Sequence, residues 1–402
     1  MRIALVIDHF NARRGGASQW TGRFAAWLAS RGHEVSVLSR SFGEVERELA
    51  VRRYLVPAGK SRFAFGRHVN EMLREIHADI SHDMGAAWGC DIFHPHEGAV
   101  RACWDGAVAA LGGWRRTVKR TMLRFAPRYR QIQRLLPKQY GECQRLIAVS
   151  QRVARDLEAE GVSSERIATI YNGVDLEQFS PALREPVRPA ARRMLGIAEC
   201  ELCLLAVAHH FRLKGIPRLV KAFEALRKLG LPVRLLVCGG PRTSDGLPRF
   251  EGGVVYTGPL ESSSACYAAA DMVAHPTHYD ACSLVTLEAL AAGLPVVTTD
   301  SNGAAELMCS GANGVVAPGN ISSEELAQTI LPLVSDPALR LRLGADGRRL
   351  ALEHSQEQNF REVFSLYESL RPAPEAVEFP MGRPLPWAEP SRSVPELAHE
   401  AV

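Results

Sequence analysis

The stretch HYDACSLVTLEALAAGLPVVTTD, residues 278–300, joins a loop, a helix-like run and a strand-like run. Apolar residues recur at helical spacing from Leu284 to Ala292, and Gly-Leu-Pro then interrupts the pattern before an apolar Val-Val-Thr-Thr run. Glycine just after a helix, with proline soon beyond it, is typical of a helix end. The stretch therefore predicts a helix followed by a buried strand, with Asp280 in the preceding loop and Glu288 inside the helix.

The loop before this predicted helix has the chemistry of a ligand site. Amide groups and the dipole at a helix N-terminus attract phosphate, and carboxylates accept hydrogen bonds from sugar hydroxyls. Glu288 lies about one and a half turns into the helix, so it can border the same cleft as Asp280. An alternative remains open, in which Asp280 or Ser283 only caps the helix and Glu288 is solvated.

Short apolar strands alternate with amphipathic helices along both halves of the chain. The first half contains IALVI, EVSVLS, ADISH, DIFH and RLIAVS, and the second contains LCLLAVA, VRLLVCGG, VVYTG, DMVAHP and LPVVTTD. This alternation predicts parallel sheets flanked by helices. A chain of 402 residues also exceeds the ~250–300 residues at which one core stops growing. We therefore expect two doubly wound α/β domains that face each other, with ligands at the carboxyl ends of the strands.

Composition shifts set the expected domain boundaries. Three prolines in SPALREPVRPAAR predict an irregular linker over residues 181–192, between a first domain at 1–180 and a second at 193–355. Residues 356–371 predict a helix that packs back on the first domain. Its apolar face consists of Phe360, Val363, Phe364 and Tyr367. The last residues, 372–402, hold seven prolines and no periodicity, which predicts a disordered tail.

Composition and cysteine usage favour a cytoplasmic globular protein. Apolar residues make up 46% and charged residues 23% of the chain, as in ordinary globular proteins. The nine cysteines are scattered. The one C-x-x-C, at Cys200 and Cys203, has no second pair and lies in a strand-like run, so it predicts buried thiols in a reducing compartment. MRIALVID reads as a first strand rather than a signal peptide, and no apolar run of about 18 residues predicts a membrane span.

The first half of the chain carries the positive charge. Residues 106–141 hold nine lysines and arginines and no acid, with an apolar stripe at near-helical spacing. The stripe consists of Trp114, Val118, Met122, Phe125 and Tyr129. Such a segment predicts contact of residues 114–138 with an anionic membrane surface or a phosphorylated glycolipid at the inner face of the cytoplasmic membrane. A basic, solvated helix that covers its own domain is the alternative.

Several motifs resemble, in the same order, those of the family 4 retaining glycosyltransferases. The opening stretch is similar to their E-x7-E region, with Asp280 as the first acid and Glu288 as the second. IYNGVDLEQFSP resembles their Asn-Gly-Val-Asp segment, and AVAHHFRLKGIPRLVKAF resembles their basic phosphate-binding loop. The resemblance covers about residues 1–370. It implies a GT-B fold and transfer of a hexose from a nucleotide-diphosphate sugar, with UDP-sugars favoured, to a glycan or glycolipid hydroxyl. Lipopolysaccharide core is the leading example of an acceptor.

The resemblance also implies roles for single residues. Lys214 would neutralise the donor diphosphate with Arg212 as a second cation, and Glu288 would bind the nucleotide ribose. The transferred sugar would be held by Asp280 and the four residues after it, which are Ala281, Cys282, Ser283 and Leu284. Gly15 and Gly16, which allow a tight turn before the first helix, would leave space beside the phosphates.

Histidines and acids at two strand ends are the acceptor-side candidates. DIFHPHEG supplies His94, His96 and Glu97 where the family that the chain resembles often has a histidine or an acid near the transferred sugar and the acceptor. The resemblance thus makes His96, and then Glu97, the preferred catalytic candidates. ISHDMG adds His82 and Asp83, for which capping and turn formation are the alternatives.

The resemblance implies a retaining mechanism without a carboxylate nucleophile, in which Lys214 stabilises the leaving group and Asp280 holds the sugar. No Asp-x-Asp motif is present, so we predict no metal and no cofactor beyond the nucleotide-sugar co-substrate.

Three departures from the family pattern affect the donor site. Ala208-His209 replaces a Gly-Arg pair, Asp280 is one methylene shorter than glutamate, and Ser283 stands where many relatives have glycine. A GT-B epimerase or hydrolase, or a noncatalytic nucleotide-sugar-binding protein, remains an alternative. No G-x-G-x-x-G or P-loop supports a dehydrogenase or an NTPase. The negative second half argues against nucleic acid as a partner.

Overall fold

The computed structural model describes residues 1–11, 15–43, 50–57, 59, 61–240, 252–260 and 262–371. The predicted tail at 372–402 lies outside the described residues.

The first domain is built on a seven-stranded parallel sheet of order β3-β2-β1-β4-β5-β6-β7. Its strands are β1 (Arg2–Val6), β2 (Glu34–Ser39), β3 (Arg52–Leu55), β4 (Ile80–Asp83), β5 (Ile92–Phe93), β6 (Arg145–Ala148) and β7 (Ile167–Thr169). Its helices are α1 (Gly16–Ser30), α2 (Arg62–Ile76), α3 (Val100–Ala109), α4 (Gly113–Phe125), α5 (Pro127–Gly141) and α6 (Gln151–Ala159). The central strands are apolar and buried because helices cover both faces of a parallel sheet.

The second domain repeats this plan with a six-stranded parallel sheet of order β10-β9-β8-β11-β12-β13. Its strands are β8 (Leu202–Val207), β9 (Val233–Cys238), β10 (Val254–Gly258), β11 (Met272–His275), β12 (Val296–Thr299) and β13 (Val315–Ala317). Its helices are α7 (Pro181–Met194), α8 (Ile216–Lys228), α9 (Ser264–Ala269), α10 (Leu284–Ala291), α11 (Ser323–Ser335) and α12 (Pro337–Leu352). The predicted fold class, two doubly wound α/β domains, is confirmed.

The chain crosses between the domains twice, and the two crossings are hydrogen-bonded to each other. The Val174 amide donates to the His354 carbonyl at 3.0 Å, and the Gln356 amide donates to the Val174 carbonyl at 2.9 Å. A side chain on Gly173 would collide with this pairing, since an added Cβ would lie 2.4 Å from the Ser355 carbonyl oxygen. Glycine is therefore required for the crossings to approach so closely.

The last helix, α13 (Gln356–Ser369), packs on the first domain. Phe360, Val363 and Tyr367 are buried among side chains of β1 and α1. Trp20 of α1 donates its indole N–H to Asn359 Oδ1 at 2.7 Å. This helix therefore completes the core of the first domain from the far end of the sequence.

Glu306 joins the domains at a second place. It lies on a 3₁₀ helix, Gly303–Leu307, that follows β12. Its carboxylate accepts from the Gln151 amide at 2.9 Å, from the Tyr171 hydroxyl at 3.0 Å and from Arg155 at 2.9 Å. The N-terminus of α6 thus receives a negative charge from the opposite domain, which suits the helix dipole.

Residues 181–192, predicted as an irregular linker, instead form most of α7. Pro181 is harmless at the first helical position, where the amide has no partner, but Pro186 and Pro189 lie inside the helix. Tertiary contacts override this poor propensity. Arg184, Arg188 and Arg192 lie on one face of the helix, four residues apart. They donate to the backbone carbonyls of residues 267–270 and to the carboxylate of Asp271.

We predict that Arg192→Ala destabilises the second domain. Arg192 is buried, donates to the carbonyls of Ala269 and Ala198 at 2.9 and 2.6 Å, and lies 3.2 Å from Asp271. Its loss should lower the free energy of unfolding by about 3 kcal/mol, because buried acceptors lose their donor. Urea unfolding measures this change, with the exposed neighbour variant Arg193→Ala as control. Equal stability of the two variants would mean that α7 does not depend on the arginine contacts.

Candidate active site

Asp280 lies in the loop between β11 and α10, where its carboxylate is bound by the side chains of Lys214 and His275. Its Oδ2 accepts from Lys214 Nζ at 2.6 Å and from His275 Nε2 at 2.8 Å. Burial opposes the charged carboxylate, but the positive charge of Lys214 and the hydrogen bond from His275 outweigh it and hold the pKa of Asp280 well below its usual range. The two residues that the sequence assigned to donor chemistry therefore form one ion pair. His275 was missed, although its place at the end of a strand in DMVAHP is a usable signal.

The loop that begins at Asp280 is fixed by Asn302, a buried residue that sequence reasoning also missed. Asn302 Oδ1 accepts from the amides of Ser283 and Ala304 at 3.2 and 3.1 Å. Its Nδ2 donates to Thr286 Oγ1 and Thr298 Oγ1 at 2.9 and 3.1 Å. The side chain therefore joins the loop, α10 and the end of β12. The only signal in the sequence is an Asn-Gly pair that begins three residues after the last residue of the strand.

Ser283 is the N-cap of α10, and its hydroxyl accepts from the Thr286 amide at 3.3 Å. Leu284, the first helical residue, faces the first domain. A Cβ added to Gly16 would lie 3.1 Å from Leu284 Cδ1. Gly15, with φ of 81°, is the N-cap of α1. The N-termini of α1 and α10, one from each domain, thus approach each other across the Leu284 side chain, and helix N-termini favour anions.

Glu288 lies in the second turn of α10 and is not a solvated side chain. The hydroxyl of Tyr267 donates to its Oε2 at 2.6 Å. Burial raises the pKa of Glu288 to about 7, although the Tyr267 hydrogen bond and the charge of Arg23 act in the opposite direction. Arg212 is exposed on the loop before α8, two residues from Lys214.

His82 and Asp83 lie away from any opening, which corrects their expected place in an acceptor pocket. Both are fully buried. His82 Nδ1 is 2.6 Å from the Tyr367 hydroxyl of α13. The Asp83 carboxylate accepts from the amides of Ala86 and Ala87, both at 2.9 Å, as in a capped turn. The alternative interpretation from the sequence, capping and turn formation, holds for Asp83.

His94 is also buried, and its ring lies between those of His82 and His96. The ring centroids are 5.2 Å apart for His82 and His94, and 3.8 Å apart for His94 and His96. Burial lowers the pKa of His94 well below its usual value, and the two neighbouring histidines add to this effect. His94 is therefore packed between two other imidazole rings and is closed off from solvent, so it does not line an open acceptor pocket.

His96 and Glu97 are the acceptor-side candidates that keep some exposure to solvent. His96 is partly buried, with its ring centroid 4.8 Å from that of Trp20, and burial lowers its pKa to about 3. The imidazole is therefore neutral at physiological pH. Glu97 is exposed, and it precedes Gly98, where an added Cβ would lie 2.2 Å from the Tyr279 hydroxyl of the second domain, next to Asp280. Both domains thus contribute charged groups to the same small region.

We predict that Glu288→Gln weakens the dependence of stability on pH. Because the folded-state pKa is about 7 and the ordinary value is about 4.3, the native state keeps a proton that the unfolded chain loses. Stability should therefore fall as pH rises from about 4 to 7 in the wild type.

Glutamine cannot ionise, so at pH 8 the variant should be more stable than the wild type by roughly 3 to 4 kcal/mol. Thermal unfolding at pH 5 and pH 8 tests this, with the exposed Glu324→Gln as control. Burial also raises the pKa of Asp83 to about 7. Asp83 therefore adds the same fall of stability with rising pH to the wild type and to every variant. A Glu288→Gln profile parallel to the wild type would contradict the prediction.

Comparison with known proteins agrees with this architecture. Residues 14–178 match the family model described as Glycosyltransferase Family 4, and residues 201–336 match that of Glycosyl transferases group 1. Together they cover about three quarters of the chain.

Two curated relatives differ in how much of the chain they match. D-inositol 3-phosphate glycosyltransferase of Corynebacterium urealyticum is 33% identical over 54% of this chain and 54% of its own length. The chain thus spans about half the length of that relative. Lipopolysaccharide glucosyltransferase WaaG of Escherichia coli K12 is 27% identical over 84% of this chain and 91% of its own length.

Solved structures share the fold. A crystal structure of WaaG, a glycosyltransferase involved in lipopolysaccharide biosynthesis, superposes with a TM-score of 0.76 at 23% identity, over 91% of this chain and 99% of the other. Anabaena HepE in complex with UDP and glucose superposes with a TM-score of 0.70 at 18% identity, over 92% of this chain and all of the other. The chain is therefore a member of glycosyltransferase family 4, built on the GT-B fold.

Proposed function

We propose that the protein transfers a hexose from a nucleotide-diphosphate sugar to a glycan or glycolipid hydroxyl, with retention of configuration. The observation that carries the proposal is the ion pair of Lys214 with ionised Asp280 in the loop before α10, whose first residue Leu284 lies against the N-terminus of α1. This arrangement suits a diphosphate next to a group rich in hydroxyls. A UDP-sugar is favoured because the HepE structure, which shares the fold, contains UDP and glucose.

Lys214 is the group that would stabilise the leaving diphosphate. An ammonium has three N–H donors, of which two contact the Tyr279 carbonyl at 3.3 Å and Asp280 at 2.6 Å. The third is available to a phosphate oxygen. The first amides of α10 have no acceptor within their own helix and would share the developing negative charge.

The chemistry needs no carboxylate nucleophile. The acceptor hydroxyl attacks the anomeric carbon on the face that the diphosphate leaves, the bond to the phosphate oxygen breaks, and the hydroxyl proton passes to the departing phosphate. Asp280 accepts a hydrogen bond from the transferred sugar, while neutral His96 and Glu97 border the acceptor side. Because Lys214 and backbone amides supply the positive field, we propose that neither a metal nor a further cofactor is required.

We propose lipopolysaccharide core as the acceptor class on the strength of the WaaG relative, whereas the other relatives are named D-inositol 3-phosphate glycosyltransferases. The WaaG relative aligns over most of both chains and is named a lipopolysaccharide glucosyltransferase. A GT-B epimerase or hydrolase differs from this proposal in one respect, since it would consume the donor at full rate without an acceptor.

We expect UDP-sugars to stabilise the protein, and Lys214→Ala to lose most of this effect. A ligand at 100 times its Kd adds about 2.7 kcal/mol to stability. A thermal-shift panel of UDP-, GDP- and ADP-sugars, run in EDTA, measures the stabilisation of each variant relative to its own unliganded midpoint. Lys221→Ala, an exposed lysine on α8, is the control. A wild type that no nucleotide sugar stabilises, or a Lys214→Ala that responds like the control, would contradict the donor assignment.

The basic segment of the first domain forms an exposed amphipathic helix, α4. Trp114, Met122 and Phe125 are 71%, 64% and 66% exposed, on the same helix as four described cations. These cations are Arg115, Arg116, Lys119 and Arg120. The predicted stripe stops at Phe125 because Ala126, before Pro127, is extended. Tyr129 belongs to α5 and packs on Trp104, with ring centroids 5.0 Å apart.

We propose that α4 docks on the anionic inner face of the cytoplasmic membrane and so presents the cleft to a lipid-linked acceptor. Positive charge beside exposed aromatic side chains matches an anionic lipid surface. No helix within the described ranges is long and apolar enough to cross a bilayer.

We expect the protein to sediment with vesicles of phosphatidylglycerol but not with vesicles of phosphatidylcholine. Replacing Trp114, Met122 and Phe125 together by serine should reduce binding about 10-fold or more, because three large side chains no longer enter the interface. The control is Leu341→Ser, which removes an exposed apolar side chain from the second domain. Binding that is equal for both lipids, or equal in the triple variant and the control, would rule out α4 as the docking surface.

A further inference from the structure

Three successive carbonyl groups of the loop after β11 are each held by a donor. The Asp280 carbonyl accepts from the Gly303 amide at 2.9 Å. The Ala281 carbonyl accepts from Ser150 Oγ at 2.7 Å, and the Cys282 carbonyl accepts from Asn172 Nδ2 at 2.9 Å. Every peptide plane from Asp280 to Ser283 therefore has a fixed orientation.

Two of these three donors come from the opposite domain. Ser150 follows β6, and Asn172 lies just before the first crossing between the domains. Both side chains are buried, as are Ala281 and Cys282. Gly303 makes the approach possible, since an added Cβ would lie 1.9 Å from the Ala281 carbonyl oxygen and 2.4 Å from Ser150 Oγ. The loop thus belongs to the second domain by sequence, but the first domain sets its conformation.

The fixed carbonyls determine where the amides point. In a trans peptide the N–H is directed opposite to the preceding C=O. The Ser283 amide, opposite the Cys282 carbonyl, donates to Asn302 Oδ1. Within the part of the chain that the structure describes, the Ala281 and Cys282 amides have no acceptor, although the loop is buried. Buried amides without a partner are rare in native proteins, so these two are suited to receive a ligand.

We propose that Ser150 and Asn172 are positioning residues for the Cys282 amide, which is held ready to donate to a hydroxyl of the transferred sugar. Ser150 fixes the peptide plane that contains this amide, through the Ala281 carbonyl, and Asn172 fixes the next plane, through the Cys282 carbonyl. This inference rests on the proposed transferase function. Neither side chain touches the donor, and both act through the loop. The nucleotide part of the donor is addressed by other groups, Lys214 and Glu288. We call the hydrogen bonds from Ser150 to the Ala281 carbonyl and from Asn172 to the Cys282 carbonyl the two clamps. Loss of either clamp should therefore lower the turnover of the sugar and leave the affinity for the nucleotide unchanged.

Two variants test the two clamps separately. Asn172→Ala removes the donor to Cys282. Ser150→Gly removes the donor to the Ala281 carbonyl. It should lower the stability of α6 only slightly, because glycine is an acceptable N-cap residue. Asn359→Ala is matched to the first, since Asn359 is equally buried and donates to the neighbouring Tyr171 carbonyl at 2.7 Å without contact to the loop. Ser180→Gly, at the N-cap of α7, is matched to the second.

The probes are UDP, for affinity by calorimetry, and UDP-glucose with lipopolysaccharide core as the acceptor, for the rate of sugar transfer and the KM of the donor. Both clamp variants should bind UDP within about 2-fold of wild type, while kcat with UDP-glucose falls about 10- to 100-fold, the size of effect expected for misplaced donors. Because both clamps act on one loop, the double variant should lose less than the product of the single losses. The two matched controls should keep the wild-type kcat.

The outcomes separate this inference from the function on which it rests. A wild type that neither binds nor turns over UDP-glucose would refute the proposed function with this donor. An active wild type whose clamp variants keep full kcat would refute the clamp alone. A clamp variant that loses kcat and UDP affinity together, as its matched control does, would show a structural role only and would also refute the clamp.

Discussion

The pairing of the two chain crossings is the constraint on which the arrangement of the molecule depends. Val174 and Gln356 fix where the chain leaves the first domain and where it returns. With these points tied together, the carboxyl ends of the two parallel sheets face each other, as is usual for ligand sites in open α/β folds. The short contacts across the interface, such as Ser150 to Ala281 and the three bonds to Glu306, depend on this fixed relation.

The two acids of the E-x7-E-like stretch show how environment separates chemically similar groups. Asp280 has Lys214 and His275 as partners, and these keep it ionised despite its burial. Glu288, eight residues later, has the hydroxyl of Tyr267 as its closest partner, and burial moves its pKa up to about 7. One carboxylate is therefore a permanent anion and the other is able to hold a proton near neutral pH. Two acids in one motif are thus suited to different parts of a donor molecule.

Periodicity and turn residues predicted the fold well because each βα unit is encoded locally. The stretch from Leu284 to Pro295 contains its own helix, stop signal and strand, and the structure follows it. Local rules failed at 181–192, where prolines indicated a linker but arginine contacts with distant carbonyls stabilise a helix. The prediction that His82 lines an acceptor pocket failed for a similar reason, since its partner Tyr367 is 285 residues away in the sequence. Asn302 and Ser150 act through contacts of this kind, which no local pattern reveals.

The position of α13 affects the order in which the protein folds. Phe360, Val363 and Tyr367 belong to the core of the first domain, yet they are synthesised after the whole second domain. Domains usually fold as units while the chain emerges from the ribosome. Here the first sheet must wait for its final helix with apolar surface uncovered, whereas the second domain is contiguous in sequence and can close earlier. The N-terminal domain is therefore expected to be the last to reach its native packing and the first to lose it when the chain is shortened before residue 356.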